Sequence, residues 1–254
     1  MLCESVFMKK ETGQQKSITD RLVAALELDE FVLYSQSIVP LFPKDTNSPF
    51  QEIFIRFKEE DVKLLPPGSF FPILDEYNLL PHLDRWVVNR LSRWVSGALS
   101  IKPDWVIPVS NVNLSNATLA DSDFGKYVLA YVDNSFLSNG ALGFEVDCDS
   151  AINHTATFQQ FLKEVVPLGC SLTLSDFDGS ETAFSTLETF APEFVKISAS
   201  SVIPLKISEI SGRCRALGTK TIVQYVENAE SLDQLLEMKI DFAQGLHLSP
   251  VQLL

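Results

Sequence analysis

The sequence predicts an α/β barrel built on a parallel sheet, and three observations lead to that expectation. Short runs of β-branched and aromatic residues alternate with helical stretches from Trp105 to the C-terminal end. Many of those runs close on a polar residue: Glu52, Asn113, Glu145, Asp176, Lys196, Glu227 and Gln244. The length, 254 residues, suits one such barrel, and no long linker or shift of composition divides residues 17–254. Right-handed crossovers between parallel strands put all strand C-termini on one rim, so polar residues at those ends converge. An open doubly wound sheet would carry a Gly-rich first turn, and no G-x-G-x-x-G occurs. Gly218-Thr219-Lys220-Thr221 lacks the adjacent Gly-Lys of a phosphate loop and precedes a strand, so it reads as a turn.

Residues 1–16 are polar and aperiodic and read as a flexible N-terminal segment ahead of a barrel domain at 17–254. Ser17-Ile18-Thr19-Asp20 has the form of a capping box, and Leu22, Ala25 and Leu26 follow at helical spacing. A strand is expected over 31–41, with Pro40, Pro43 and Asn47 marking a turn, and another over 50–57. Pro66-Pro67-Gly68 breaks the chain before a helical stretch from Phe70, and Leu83, Trp86, Val87, Arg90, Leu91 and Trp94 set a helix over 82–99. Thereafter strands are expected at 105–114, 142–146, 171–177, 194–197, 221–226 and Phe242. Helices are expected between them at 124–137, 158–168, 184–190, 203–217 and 232–238.

Composition narrows the function. Apolar residues make up 46% and charged residues 21%, which suits a full core. A formal charge of -13 with no Lys/Arg cluster argues against nucleic acid as a partner. No apolar run has the length of a membrane span and no signal core opens the chain, so a cytoplasmic protein without a membrane partner is expected. The four cysteines are scattered with no C-x-x-C pair, which argues against a disulfide framework or zinc site.

The strand ends carry the chemistry. Glu52 and Arg56 share one face of their strand while Ile53 and Ile55 take the other. A carboxylate there can ligate a metal and a guanidinium can grip a phosphate; a plain ion pair fits the same residues. Asn113 is an oxygen donor or a turn residue, and Asp176 before Phe177-Asp178-Gly179 is a ligand or part of an Asp/Gly turn. Lys196 lies inside an apolar strand, where a charge requires a partner.

Taken in order, these segments resemble the EAL domain, the bacterial phosphodiesterase and receptor module for cyclic di-GMP, over about residues 18–252. Gln36 with Ser37-Ile38 is similar to the family's Q-P-I, and Glu52-Ile53-Phe54-Ile55-Arg56 to its E-A-L-x-R. Phe70-Phe71-Pro72 resembles F-I-P, Leu83-Asp84-Arg85-Trp86-Val87 resembles L-D-x-W-V, and Asn113-Leu114-Ser115 matches N-L-S. Glu145 opens the stretch like E-I-T-E, Ser175-Asp176-Phe177 stands at D-D-F-G, and Val195-Lys196-Ile197 at L-K-I-D. Gln224-Tyr225-Val226-Glu227 falls at E-G-V-E, and Gln244-Gly245 with Pro250 at the terminal Q-G and P. The resemblance implies a modified TIM (β/α)8 barrel with one antiparallel strand.

It also implies where function has changed. Active members hold two divalent cations that activate a water for attack on phosphorus. Here Ser175, Gln224, Cys148 and Ser198 stand at four of the family's carboxylate positions, Asp178-Gly179-Ser180 rewrites a loop, and Tyr225 replaces a glycine whose space its ring would crowd. The expectation is therefore no catalytic residues and no enzyme, but a degenerate domain that binds cyclic di-GMP as a signalling receptor and acts on an effector protein. The run from Gln224 to Leu232 further resembles FimX-like twitching-motility regulators, which implies control of type IV pili. The ligand-binding set is Gln36, Glu52, Phe54, Arg56, Asn113, Asp176, Lys196, Glu227, Gln244 and Pro250. No cofactor is required; a residual Mg2+ or Mn2+ would fall to Glu52, Asn113, Glu145 and Asp176. The alternatives are an interaction adaptor that binds no nucleotide and a weak metal-dependent phosphodiesterase.

Overall fold

The computed structural model describes residues 13–42, 49–58, 64–132, 137, 140–199 and 204–254. The first part of the chain holds α1 (Gly13–Glu27), β1 (Phe31–Ser37), β2 (Val39–Pro40), β3 (Phe50–Lys58), β4 (Leu64–Leu65), α2 (Phe71–Glu76) and α3 (Leu80–Ile101). Then come β5 (Val109–Asn113), α4 (Asn116–Leu119), α5 (Phe124–Val132), β6 (Leu142–Asp147), α6 (Cys148–Asn153) and α7 (Thr155–Val165). The remainder is β7 (Ser171–Ser175), α8 (Glu181–Phe190), β8 (Phe194–Ser198), α9 (Pro204–Ala216), β9 (Lys220–Gln224), α10 (Ala229–Glu237), β10 (Phe242–Ala243) and β11 (Gln252–Leu253).

One sheet in the order β11-β1-β3-β5-β6-β7-β8-β9-β10-β2 organises the fold, with β4 on β3. The ladder from β3 through β5, β6, β7, β8 and β9 to β10 is parallel throughout. Only Ile38 separates β1 from β2, yet β1 pairs antiparallel with β3 and β2 pairs antiparallel with β10. This bent run touches both ends of the parallel ladder and curls the sheet into a barrel. It is the antiparallel strand the sequence resemblance implies.

Several boundaries differ from the sequence expectation for identifiable reasons. The helix α1 begins at Gly13, so Ser17 lies within it rather than capping it, and residues 1–12 lie outside the described set. Pro43 and Asn47 of the expected turn also lie outside it. The strand expected from Trp105 starts only at Val109, because Pro103 and Pro108 lack ladder donors. β7 and β9 end two residues early because Asp176 (φ 52°) and Tyr225 (φ 67°) adopt the left-handed conformation, which ends the strand. The short helices α4 and α6 are additions, begun by Ser115 accepting from the Thr118 amide (3.2 Å) and by Asp147 accepting from the Ser150 amide (2.8 Å).

Two apolar regions flank the sheet. The larger lies between strands and helices and includes Leu33, Ile53, Ile55, Val112, Phe144, Val146, Leu172 and Leu174. The smaller is the barrel floor, where Ile38, Phe50, Phe194, Ile222 and Phe242 meet. The three floor rings contact one another with centroids 5.0, 5.9 and 5.5 Å apart. Burying each such ring stabilises the fold by roughly 1.5–3 kcal/mol and closes that end of the barrel to water.

Candidate functional site

Side chains two residues apart share a strand face. Phe50 on the floor therefore puts Glu52 one layer up; Phe194 does the same for Lys196, Ile222 for Gln224, and Phe242 for Gln244. This step builds a polar layer directly above an apolar floor. At its centre is the Lys196 ammonium, fully buried, donating to Glu52 Oε2 at 2.8 Å and to Glu145 Oε2. Glu52 Oε2 also accepts from Gln244 Nε2 (2.8 Å), and Glu52 Oε1 accepts from Asn113 Nδ2 (2.8 Å). Strands β3, β5, β6, β8 and the end of β10 thus converge on one charged knot.

The electrostatics follow from that geometry. Burial would raise the Glu52 carboxyl, but Lys196, Asn113 and Gln244 overcome it and hold Glu52 below its ordinary value. Burial would likewise strip the proton from Lys196, yet Glu145 and Glu52 hold it above the usual lysine value. Glu145 is pushed up to about 7, chiefly by burial and then by the charge of Glu52, since it has only Lys196 in compensation. The knot is two acids sharing one cation.

The other expected residues lie around this centre. Gln36 is buried opposite Glu52 in the β1–β3 ladder, and its amide donates to the Ser249 carbonyl (2.9 Å), anchoring the segment that carries exposed Pro250. Phe54 and Asn113 line a hollow of about 220 Å³ with Pro67, Phe71, Leu83 and Val87. Arg56 is half-buried at the end of β3, with Nη1 on the Ile55 carbonyl (2.8 Å) and its guanidinium 5.9 Å from the Tyr34 ring centroid. Asp176 and Glu227 are exposed at the mouth. Asp176, Cys148, Asp147 and Asp178 border a second hollow of about 180 Å³, where burial and nearby carboxylates push the Cys148 thiol up to about 12.

Tyr225 does not crowd the site as its ring was expected to: it is 58% exposed, and what its glycine-like position imposes is the left-handed backbone. A residue that site reasoning passed over is Asp84. Its Oδ2 accepts from the Ser115 amide (3.0 Å), Ser115 Oγ (2.8 Å) and Thr118 Oγ1 (2.6 Å), fixing the turn directly after Asn113. The signal was present in Leu83-Asp84-Arg85-Trp86: an acid on the apolar face of a helix.

These residues do not fit a divalent cation as they stand. Mg2+ and Mn2+ require several free oxygens, whereas both Glu52 oxygens are engaged and the ammonium lies between Glu52 and Glu145. Among the described residues no group of three or more His, Cys, Asp or Glu is disposed to hold a metal. The described cysteines are buried and unpaired, and no described helix is long and apolar enough to cross a membrane.

The family model described as EAL domain matches residues 19–251. The chain is 26% identical over 233 residues to the cyclic di-GMP phosphodiesterase PdeB of Shewanella oneidensis, covering 89% of this chain and 27% of that protein. It is 26% identical over 252 residues to the cyclic di-GMP phosphodiesterase PdeA of Borreliella burgdorferi, covering 96% of this chain and 36% of that one. The chain thus spans about a third of the length of these relatives. Among solved structures, the FimX EAL domain of Xanthomonas citri in complex with c-diGMP superposes with a TM-score of 0.83 at 23% identity, over 95% of each chain. These relatives overturn the expectation of a non-enzyme. Proteins named phosphodiesterases match nearly the whole chain, and neutral residues at four rim positions leave Glu52, Asn113, Glu145, Asp176 and Lys196 in place.

Proposed function

Because the chain belongs to the EAL domain family, we propose that it binds cyclic di-GMP at the strand-end rim of its barrel, with Arg56 holding a phosphate. The observation that carries this reading is the state of Arg56. Its guanidinium forms no ion pair with any described residue, in a chain of net charge -13, and it stands beside the half-buried Phe54 above the polar knot. A cation left unpaired in an acidic rim is a seat for an anion. Phe54 and Pro250 offer apolar surface to the bases, and Gln36, Asp176, Glu227 and Gln244 offer polar edges. The likeness to a FimX domain solved with c-diGMP supports the ligand. We further propose a cytoplasmic signalling role exercised through an effector protein, with type IV pilus motility as its output, on the sequence resemblance of the run from Gln224 to Leu232 to FimX-like regulators.

Equilibrium dialysis with labelled cyclic di-GMP tests the assignment of Arg56. A charge-assisted phosphate contact contributes roughly 1.5–3 kcal/mol, so Arg56→Ala weakens binding by about tenfold to a hundredfold. Unchanged affinity would remove Arg56 from the site. A second reading is hydrolysis of the same ligand, favoured by the phosphodiesterases among the relatives. Linear dinucleotide that accumulates in Mn2+ with wild-type protein, and not with Glu52→Ala, would establish it.

A further inference from the structure

We propose that the hollow between β3 and α3 is a second ligand site, which takes a small neutral phenol with its hydroxyl on Asp84. It stands apart from the rim and does not depend on the nucleotide reading. Ile53 and Ile55 face away from Glu52, so the hollow lies between sheet and helix, outside the barrel. The strands wall it with Leu33, Ile53, Ile55 and Val112, and α3 with Leu83 and Val87, all of them buried. Half-buried Phe54, Pro67 and Phe71 and exposed Asn113 mark where it reaches the surface. Its volume, about 220 Å³, exceeds the roughly 150 Å³ of an apolar cavity that admits benzene, so one substituted ring fits.

Asp84 supplies the polar half of the argument. It is 4% exposed and stands in the wall of the hollow. Its Oδ2 takes all three hydrogen bonds from Ser115 and Thr118, and its Oδ1 accepts none from any described residue. Neighbouring Arg85 is turned to Asp121 and the Pro81 carbonyl, so no described cation pairs with Asp84. A buried carboxyl oxygen without a partner is costly in apolar surroundings, and a ligand that brings one removes that cost. A hydroxyl suits it in either protonation state, donating to the carboxylate or accepting from the acid, and burial pushes this carboxyl upward. An ammonium would bring three donors to a single free acceptor, and an anion would meet a like charge. A phenol joins the hydroxyl to a ring that the aliphatic walls accept.

Calorimetric titration of the whole chain with p-cresol and with toluene tests the site. Wild-type protein is expected to bind p-cresol at millimolar concentration or below, and about tenfold or more tighter than toluene. Asp84→Ala is expected to erase that preference. Val87→Phe, which fills the hollow with its own ring, is expected to abolish binding of both. Arg56→Ala is expected to leave p-cresol affinity unchanged, which separates this site from the nucleotide reading. The proposal would be overturned by no binding of p-cresol, by equal affinity for both molecules in wild type, by a preference that survives Asp84→Ala, or by affinity unmoved in Val87→Phe. Should either variant fail to fold, nuclear Overhauser contacts in the wild-type protein decide. Contacts from p-cresol to the Val87 and Val112 methyls support the hollow, and contacts elsewhere refute it.

Discussion

At the scale of single residues, the rim is held by side chains that do not themselves face a ligand. Tyr225 takes φ 67° and 58% exposure, a conformation that costs a residue with a Cβ about 1 kcal/mol or more. Tyr225→Gly should therefore raise the free energy of unfolding in urea by about 1 kcal/mol, even though it removes a large apolar side chain. A loss of stability would mean that the ring packs usefully where it stands. Asp84 works in the opposite direction. Burial pushes its carboxyl above the ordinary value despite three hydrogen bonds from Ser115 and Thr118. Asp84→Ala strands those donors and should cost about 2 kcal/mol or more, with cyclic di-GMP affinity falling as the turn after Asn113 loosens. The sequence made Tyr225 visible as a departure at a glycine position. It did not distinguish crowding from backbone strain, because that depends on which way the chain turns after β9.

At the scale of elements, the decisive regularity is the two-residue step along each strand. In the sequence, shared parity is read only for Glu52 and Arg56, against Ile53 and Ile55; the same step sets Phe50 beneath Glu52, Phe194 beneath Lys196 and Phe242 beneath Gln244. The structure adds which strands are neighbours, and so which of those polar residues meet. Strand ends were less legible, since prolines before β5 and left-handed residues after β7 and β9 shorten runs whose apolar pattern continues. The end of β10 depends on a close approach: a Cβ on Gly245 would lie 2.1 Å from the Val226 carbonyl oxygen and 2.4 Å from its amide nitrogen. The same backbone is tied by Val226 N to the Gln244 carbonyl at 3.0 Å. Backbone cannot yield as a side chain can, so Gly245→Ala should destabilise by about 1–3 kcal/mol and release Gln244 from Glu52. Thermal unfolding together with cyclic di-GMP affinity would report both effects.

At the scale of the molecule, the barrel closes because one bent run, β1 and β2, pairs with both ends of a parallel ladder, and closure forces its polar layer together. The family was readable because its segments occur in order along nearly the whole chain. The shared ammonium was not, since sequence order gives no account of which acids Lys196 would find. That layer predicts a dependence on pH. Burial and the charge of Glu52 raise Glu145 to about 7 from its ordinary 4.5. Between those values the folded barrel keeps a proton that the unfolded chain has lost. The stability this group contributes is full below the lower value and disappears as pH rises through the upper one. Wild-type protein should therefore lose unfolding free energy from acidic to mildly alkaline buffer relative to Glu145→Gln, measured in urea. Identical pH dependence in the two proteins would show that Glu145 binds no such proton. The most direct test of the whole account is calorimetric titration of the barrel with cyclic di-GMP, first in EDTA and then in Mg2+. Binding at micromolar concentration or tighter without metal is the predicted result. Absence of binding in both buffers would contradict it.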